Sequence, residues 1–149
     1  MNLAAEMGPG LTGLEQLRAL IASGGRPPIA ETLDFRLVQV DDGFAVFEGT
    51  PSLSVYNPIG MVHGGYAATL LDSACGCAVH SKLSATQAYS TLELKVAYHK
   101  AITKDTGLLR AEGRVLSFGR RAGFSEAKLT DSAGKLYASA TSTLIVMER

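Results

Sequence analysis

Leu11, Leu14, Leu17, Leu20 and Ile21 recur at three- and four-residue spacing, with Glu15, Gln16 and Arg18 between them. That periodicity predicts an amphipathic helix with Thr12 as its N-cap, stopped by Ser23-Gly24-Gly25 and Pro27-Pro28. From Asp34 the period changes. Phe35 to Val40 and Phe44 to Gly49 are β-rich runs flanking Asp41-Asp42-Gly43, which reads as a hairpin. Pro51 ends it, and Tyr56 to Gly60 is a loop, because Pro58 disfavours the helical region at Asn57. Tyr66 to Ser81 is built almost wholly of small and apolar side chains. With hardly any charge on any face it predicts a helix surrounded by the rest of the chain.

The remainder is β in character. Gln87 to Tyr98 alternates Leu92, Leu94, Val96 and Tyr98 against Thr91, Glu93, Lys95 and Ala97. Leu108 to Ser117, Ala122 to Leu129 and Leu136 to Val146 follow, joined by turns at Phe118-Gly119-Arg120-Arg121 and Asp131-Ser132-Ala133-Gly134. Such short turns imply antiparallel neighbours, since a parallel pair needs a crossover of about a dozen residues. The order is a short helix, a hairpin, a buried helix and three to four long strands. One surrounded helix on one curved sheet leaves an edge strand open, and pairing across a two-fold axis covers it. A homodimer is expected. Residues 1–30 read as a loose leader with its short helix, and 31–149 as a single domain.

Composition narrows the function classes. The chain has 149 residues, with 14 Lys plus Arg against 14 Asp plus Glu. A zero net charge argues against a nucleic-acid partner, which calls for a basic face. With 46% hydrophobic and 19% charged residues, the chain is globular rather than disordered. No run approaches the roughly 20 apolar residues of a membrane span. The N-terminus lacks the basic start of a signal peptide, so a cytoplasmic protein without membrane partners is expected. Cys75 and Cys77, two apart on a helix, point to opposite sides and read as free buried thiols. His63, His80 and His99 have no metal-ligand spacing, so no metal is expected.

Two features could carry chemistry. Asp72 is the only charged residue from Tyr66 to Val79. A buried carboxylate is costly unless paired or functional. It is either a structural Asp satisfied by a backbone N–H or a hydroxyl, or a general base tuned by an apolar wall. His63-Gly64-Gly65 opens the same helix. Glycines there let a ligand approach the backbone, and the unpaired N–H groups of a helix start favour developing negative charge. They could equally serve only the conformation of the helix entry.

Taken together, Asn57, His63-Gly64-Gly65 and Asp72 resemble the hotdog-fold acyl-CoA thioesterases, in particular the phenylacetate-degradation and hydroxybenzoyl-CoA branch. The similarity spans roughly residues 30–147 and rests on the run from Asn57 to Asp72. The resemblance implies an α+β hotdog fold, a long central helix wrapped by a curved antiparallel sheet, as a homodimer or dimer of dimers (homotetramer). It implies hydrolysis of an acyl-CoA thioester to free acid and CoA. In such enzymes the helix acid, here Asp72, activates water or attacks the thioester, and the Gly64 N–H donates to the thioester oxygen. Asn57 would hold water or substrate, His63 would support the carbonyl end, and Gly65 and Tyr66 would line the substrate site. The site would form across the dimer interface. Coenzyme A enters as part of the substrate, and no cofactor is implied.

The chain also departs from that pattern. Some relatives carry Thr or Ser four residues after the acid, where this chain has Gly76. A hydroxyl from the next strand, Thr91 or Ser90, is the expected substitute. Asp in place of Glu shortens the reach by one methylene and favours water activation over a covalent anhydride. Arg114, Gly119, Arg120 and Arg121 are expected to meet the CoA phosphates, for which the Arg fork is suited; solvated turn charges are the plainer reading. Two other functions compete. An enoyl-CoA hydratase of this fold would carry His five residues after the acid, where Cys77 stands. A non-catalytic acyl-CoA-binding protein would have no need of Asp72. The acyl group, and CoA against a carrier-protein thioester, stay open.

Overall fold

The computed structural model describes residues 6–7 and 10–149. The first helix, α1, spans Gly13–Ser23 and begins at a capping box: the Thr12 hydroxyl accepts from the Glu15 N–H, while the Glu15 carboxylate accepts from the Thr12 N–H at 2.8 Å. Gly24 in the left-handed region (φ 67°) ends it. A second short helix, α2 (Pro28–Thr32), starts on the Pro pair. Its Pro at the first helical position lacks only an N–H that would have no acceptor there, which is why Pro27-Pro28 both stops one helix and begins the next.

The hairpin is β1 (Phe35–Asp41) and β2 (Phe44–Gly49), and the long helix α3 spans Gly64–His80. Four strands follow: β3 (Gln87–Tyr98), β4 (Leu109–Phe118), β5 (Ala122–Asp131) and β6 (Leu136–Glu148). They form one antiparallel sheet in the order β1-β2-β4-β5-β6-β3. Six strands spaced about 4.8 Å apart are about 24 Å across, more than twice the width of a helix. Yet α3 packs against every one of them, so the sheet curls around it. This is the wrapped-helix architecture the resemblance implies.

Small residues make the wrap possible. Ala67, Ala74 and Ala78 of α3 are fully buried, as are Leu70 and Leu71. Gly113 of β4 lies so close to α3 that a Cβ there would overlap the Ala74 carbonyl. The core also reaches back before residue 31: Leu17, Leu20 and Ala30 join the same cluster as Phe35, Phe47 and Leu70. Met7 packs against it, while most of the expected loose leader, residues 1–5 and 8–9, lies outside the described residues.

The strict alternation expected along Gln87 to Tyr98 does not hold. Thr91 pairs with Leu144 and Glu93 with Thr143, so Leu92 is an extra residue in a bulge. Ser142, itself 2% exposed, pins the bulge by donating to the Glu93 carbonyl at 2.9 Å. One extra residue exchanges the faces. Tyr89 and Thr91 point at α3 before the bulge, and Leu94, Val96 and Tyr98 do so after it, while Leu92 is 62% exposed. β3 is also an edge of the sheet, with twelve residues and no proline.

Candidate active site

The loop before α3 is tied down by backbone bonds. The Asn57 N–H donates to the Met61 carbonyl at 2.7 Å, Val62 to Ile102 at 2.9 Å and His63 to Val55 at 2.8 Å. The Asn57 side-chain oxygen accepts from the Ile59 and Met61 N–H groups at 3.1 and 3.0 Å. It is spent on the turn, and only the amide nitrogen of Asn57 is left to face a ligand. His63 is the N-cap of α3, its Nδ1 accepting from the Gly65 N–H at 2.8 Å. The ring proton then sits on Nε2. The N–H of Gly65, a residue expected to line the substrate site, is therefore occupied by His63. The Gly64 N–H has no acceptor among the described residues. Its carbonyl accepts from the Tyr98 hydroxyl at 2.8 Å. Asn57, His63, Gly64 and Tyr98 line a cavity of about 320 Å³, with His99 and Lys100 on its rim. Lys135 stands beside Lys100 and holds its ammonium below the ordinary lysine range.

Asp72, half-buried, lies in a different cavity. The Thr91 hydroxyl donates to its Oδ1 at 3.1 Å, and Oδ2 has no partner among the described residues. One oxygen is tethered and the other free, which is how a base is aimed. Thr91 rather than Ser90 is thus the hydroxyl at the acid. Ser90 is exposed on the opposite side of β3 and lines neither cavity, as strand alternation requires. The chamber beyond Asp72 has a volume of about 220 Å³. Leu17, Leu20, Ile29 and Ala30 of α1 and α2 form one side of it. Phe35 and Phe47, edge to face with centroids 5.8 Å apart, form another.

Cys77, Tyr89 and His80 stand farther along the helix. Burial pushes the Cys77 thiol up to about 12 and the Cys75 thiol up to about 11, so neither is a nucleophile near neutrality. Burial, with the Arg149 charge, pushes His80 down to about 4. Its Nε2 lies 2.9 Å from the Gln16 side-chain oxygen, which fixes the junction of α1 and α3.

The remaining expected contacts divide. Tyr66 is a correction: it is 3% exposed in the core, lines neither cavity, and its buried hydroxyl has no partner among the described residues. Gly49 makes room for that hydroxyl, and burial with the nearby Asp34 charge pushes it up to about 12. Arg114 lies over the Phe44 ring at 4.5 Å. Gly119, Arg120 and Arg121 form the exposed β4–β5 turn, outside both cavities. Sequence reasoning missed Tyr89, Tyr98 and the α1–α2 side of the chamber. Tyr98 was legible as an inward residue; Tyr89 and Thr91 were not, because the bulge at Leu92 reverses their face.

The two halves of the expected site do not meet within one chain. Gly64 and Asp72 are eight residues apart on one straight helix, about 12 Å along its axis at 1.5 Å per residue. A single carbonyl must sit about 3 Å from both an oxyanion donor and the attacking group. One chain supplies a donor in one cavity and a carboxylate in another.

A family model described as the thioesterase superfamily matches residues 59–138. A 1,4-dihydroxy-2-naphthoyl-CoA hydrolase of Listeria monocytogenes is 27% identical over 121 residues, covering 81% of this chain and 97% of the relative. A conserved protein of Pseudomonas aeruginosa superposes with a TM-score of 0.76 at 29% identity, over 82% of this chain and 95% of that one. The E. coli PaaI protein from the phenylacetic acid degradation operon gives 0.78 at 20% identity, over 91% and 94%, a likeness of fold.

Proposed function

Since the chain belongs to the thioesterase superfamily, we propose that it hydrolyses an acyl-CoA to the free acid and CoA, in a two-fold dimer whose sites each draw on both subunits. The observation that carries this is the separation of the Gly64 N–H from Asp72 into two cavities of one chain. A two-fold axis that sets two α3 helices side by side and antiparallel brings the start of one helix to the middle of the other. The open edge of β3, with Leu92 62% and Tyr98 55% exposed, is the surface suited to that pairing.

The thioester oxygen accepts from the Gly64 N–H of one subunit, where the helix dipole favours the developing oxyanion. The free Oδ2 of Asp72 in the other subunit takes a proton from water, which attacks the carbonyl carbon. The tetrahedral intermediate collapses, the carbon–sulfur bond breaks, and the thiolate leaves. Thr91 holds Asp72 through Oδ1, and the Asn57 amide nitrogen and the His63 Nε2–H remain as donors beside the carbonyl. The CoA phosphates fall to exposed cations, Arg120 and Arg121 at the β4–β5 turn among them; Arg114 is partly committed to Phe44. No metal or separate cofactor takes part, and two free, unreactive thiols suit a reducing cytoplasm.

The test mixes two inactive variants. Asp72→Asn removes the base. Gly64→Pro removes the donor N–H at the first helical position, where the helix backbone tolerates proline and His63 before it already has the extended backbone (ψ 134°) that proline demands. Its Cβ would come 3.0 Å from the Tyr98 ring and hydroxyl, so Tyr98→Ala serves as the control for that crowding alone. Asp72→Asn and Gly64→Pro are each expected to release thiol from acyl-CoAs at least about 10²-fold more slowly. Subunits refolded together in equal amounts regain about a quarter of wild-type activity, because half the dimers carry one intact site. No regain on mixing overturns the shared site, and full activity in Asp72→Asn overturns the base.

A further inference from the structure

The strand β3 places two tyrosines against α3, and each sits on a glycine. Tyr98 reaches Gly64, where its hydroxyl donates to the glycine carbonyl at 2.8 Å. Tyr89 reaches Gly76, where an added Cβ would lie 3.0 Å from the phenol oxygen. The two seats differ in one respect. The Tyr98 hydroxyl has its acceptor, whereas the Tyr89 hydroxyl has no hydrogen-bond partner among the described residues, although its ring is packed edge to face on His80 with centroids 5.5 Å apart. Burial and the nearby Cys77 and Asp72 hold this phenol well above the usual tyrosine range, so it stays protonated and can donate. It lines the chamber behind Asp72, whose other walls are chiefly apolar.

A donor with no protein partner, at the wall of a chiefly apolar chamber, is free to bond a ligand that brings an acceptor there. The matching repeats of strand and helix fix where that acceptor must be. Thr91 stands over Asp72 and Tyr89, two residues earlier, stands over Gly76, one turn further along α3. The phenol therefore lies about 5.4 Å, one helical turn, beyond the carboxylate in the direction of the His80 end. We propose that Tyr89 is a specificity-determining residue, through which the chamber distinguishes an acyl group bearing a hydroxyl or carbonyl oxygen about one helical turn from the thioester carbon from the bare hydrocarbon of the same shape. Gly76 belongs to the same device, since any side chain there displaces the phenol. This rests on the assignment of Asp72 to the reacting carbonyl.

The experiment compares pairs of thioesters that differ only in that oxygen: 4-hydroxybenzoyl-CoA with benzoyl-CoA, and 4-hydroxyphenylacetyl-CoA with phenylacetyl-CoA. Tyr89→Phe keeps the ring and its packing and removes only the hydroxyl. Wild type is expected to favour the oxygenated member of at least one pair by about 5- to 10-fold in kcat/KM, and Tyr89→Phe to abolish that ratio while leaving kcat/KM for the bare member within about twofold. Gly76→Ala is expected to reduce the same ratio. A ratio unchanged in Tyr89→Phe, or an equal loss on both members, overturns the proposal and leaves the thioesterase reading intact. If wild type hydrolyses none of the four and no short- or medium-chain aliphatic acyl-CoA either, that reading fails instead. Binding of 4-hydroxybenzoate against benzoate to wild type and Tyr89→Phe, by calorimetry, then decides on Tyr89 alone: equal affinities in both proteins overturn it.

Discussion

Thr91→Val tests the tether on Asp72, the proposed general base. The variant keeps the branched shape and removes the one donor to Asp72 Oδ1, at 3.1 Å in a half-buried setting. A hydrogen bond to a charged group contributes about 1.5–3 kcal/mol. At 3.1 Å this one is longer than the 2.5–2.7 Å of the strongest O–H···O⁻ contacts, so the lower end, about 1.5 kcal/mol, applies. Each 1.36 kcal/mol is tenfold in rate, so kcat is expected to fall about tenfold. KM should hardly change, because Thr91 acts through Asp72 rather than on the acyl group. Thr91→Ser, which restores a hydroxyl, should recover most of the loss. The decisive comparison is the double variant. With Asp72→Asn already costing at least about 10²-fold, adding Thr91→Val should slow thiol release by less than about twofold more, since the tether has nothing left to aim. Independent, multiplying losses at saturating acyl-CoA would sink the reasoning, as would an unchanged kcat in Thr91→Val.

Three further outcomes follow from the packing. Leu92→Asp places a charge on the exposed bulge of the open β3 edge; the variant should run as a monomer by light scattering, retain its melting temperature within a few degrees and lose thiol release, and an intact active dimer would place the interface elsewhere. Gly113→Ala would drive a methyl into the Ala74 carbonyl of α3, whereas Gly119→Ala meets only the Ala122 carbonyl at 3.7 Å. The first is expected to cost about 3 kcal/mol, or about 10 °C in melting temperature, and the second less than about 0.5 kcal/mol; equal melting curves would contradict the close wrap. His80, pushed down from the ordinary histidine value of about 6.5 to about 4 by burial and the Arg149 charge, binds its proton in the unfolded chain before the folded one. Stability should therefore decline as pH falls from about 6.5 to about 4 and level off below, by about 3 kcal/mol in all. Denaturant titrations of wild type and His80→Gln should differ in slope over that window; parallel curves would refute the assignment.

Local chemistry dictated much of this molecule. Thr12 with Glu15, the Gly24 stop, the Asp41-Asp42-Gly43 hairpin and the charge-free run from Ala67 to Leu71 are short-range signals, and each produced the element its residue types require. The architecture followed from them, because a helix with no polar face must be wrapped, and its one carboxylate finds a partner in the Thr91 hydroxyl. What lay outside the reach of pattern was set by pairing between distant strands. Nothing in the run from Thr91 to Glu93 marks Leu92 as the bulged residue; Ser142, some fifty positions on, does that by bonding to the Glu93 carbonyl. That one-residue shift turns Tyr89 and Thr91 inward, and with them the tether of Asp72 and the phenol of the chamber. Tyr66 was misread for the same reason, since a first-turn residue of α3 faces either the ligand or the sheet according to which strand lies over it, and Gly49 of β2 lies over this one. The separation of Gly64 from Asp72 is fixed by the helix itself, at 1.5 Å for each of eight residues. Their residence in two different cavities depends on the strands and helices folded around it.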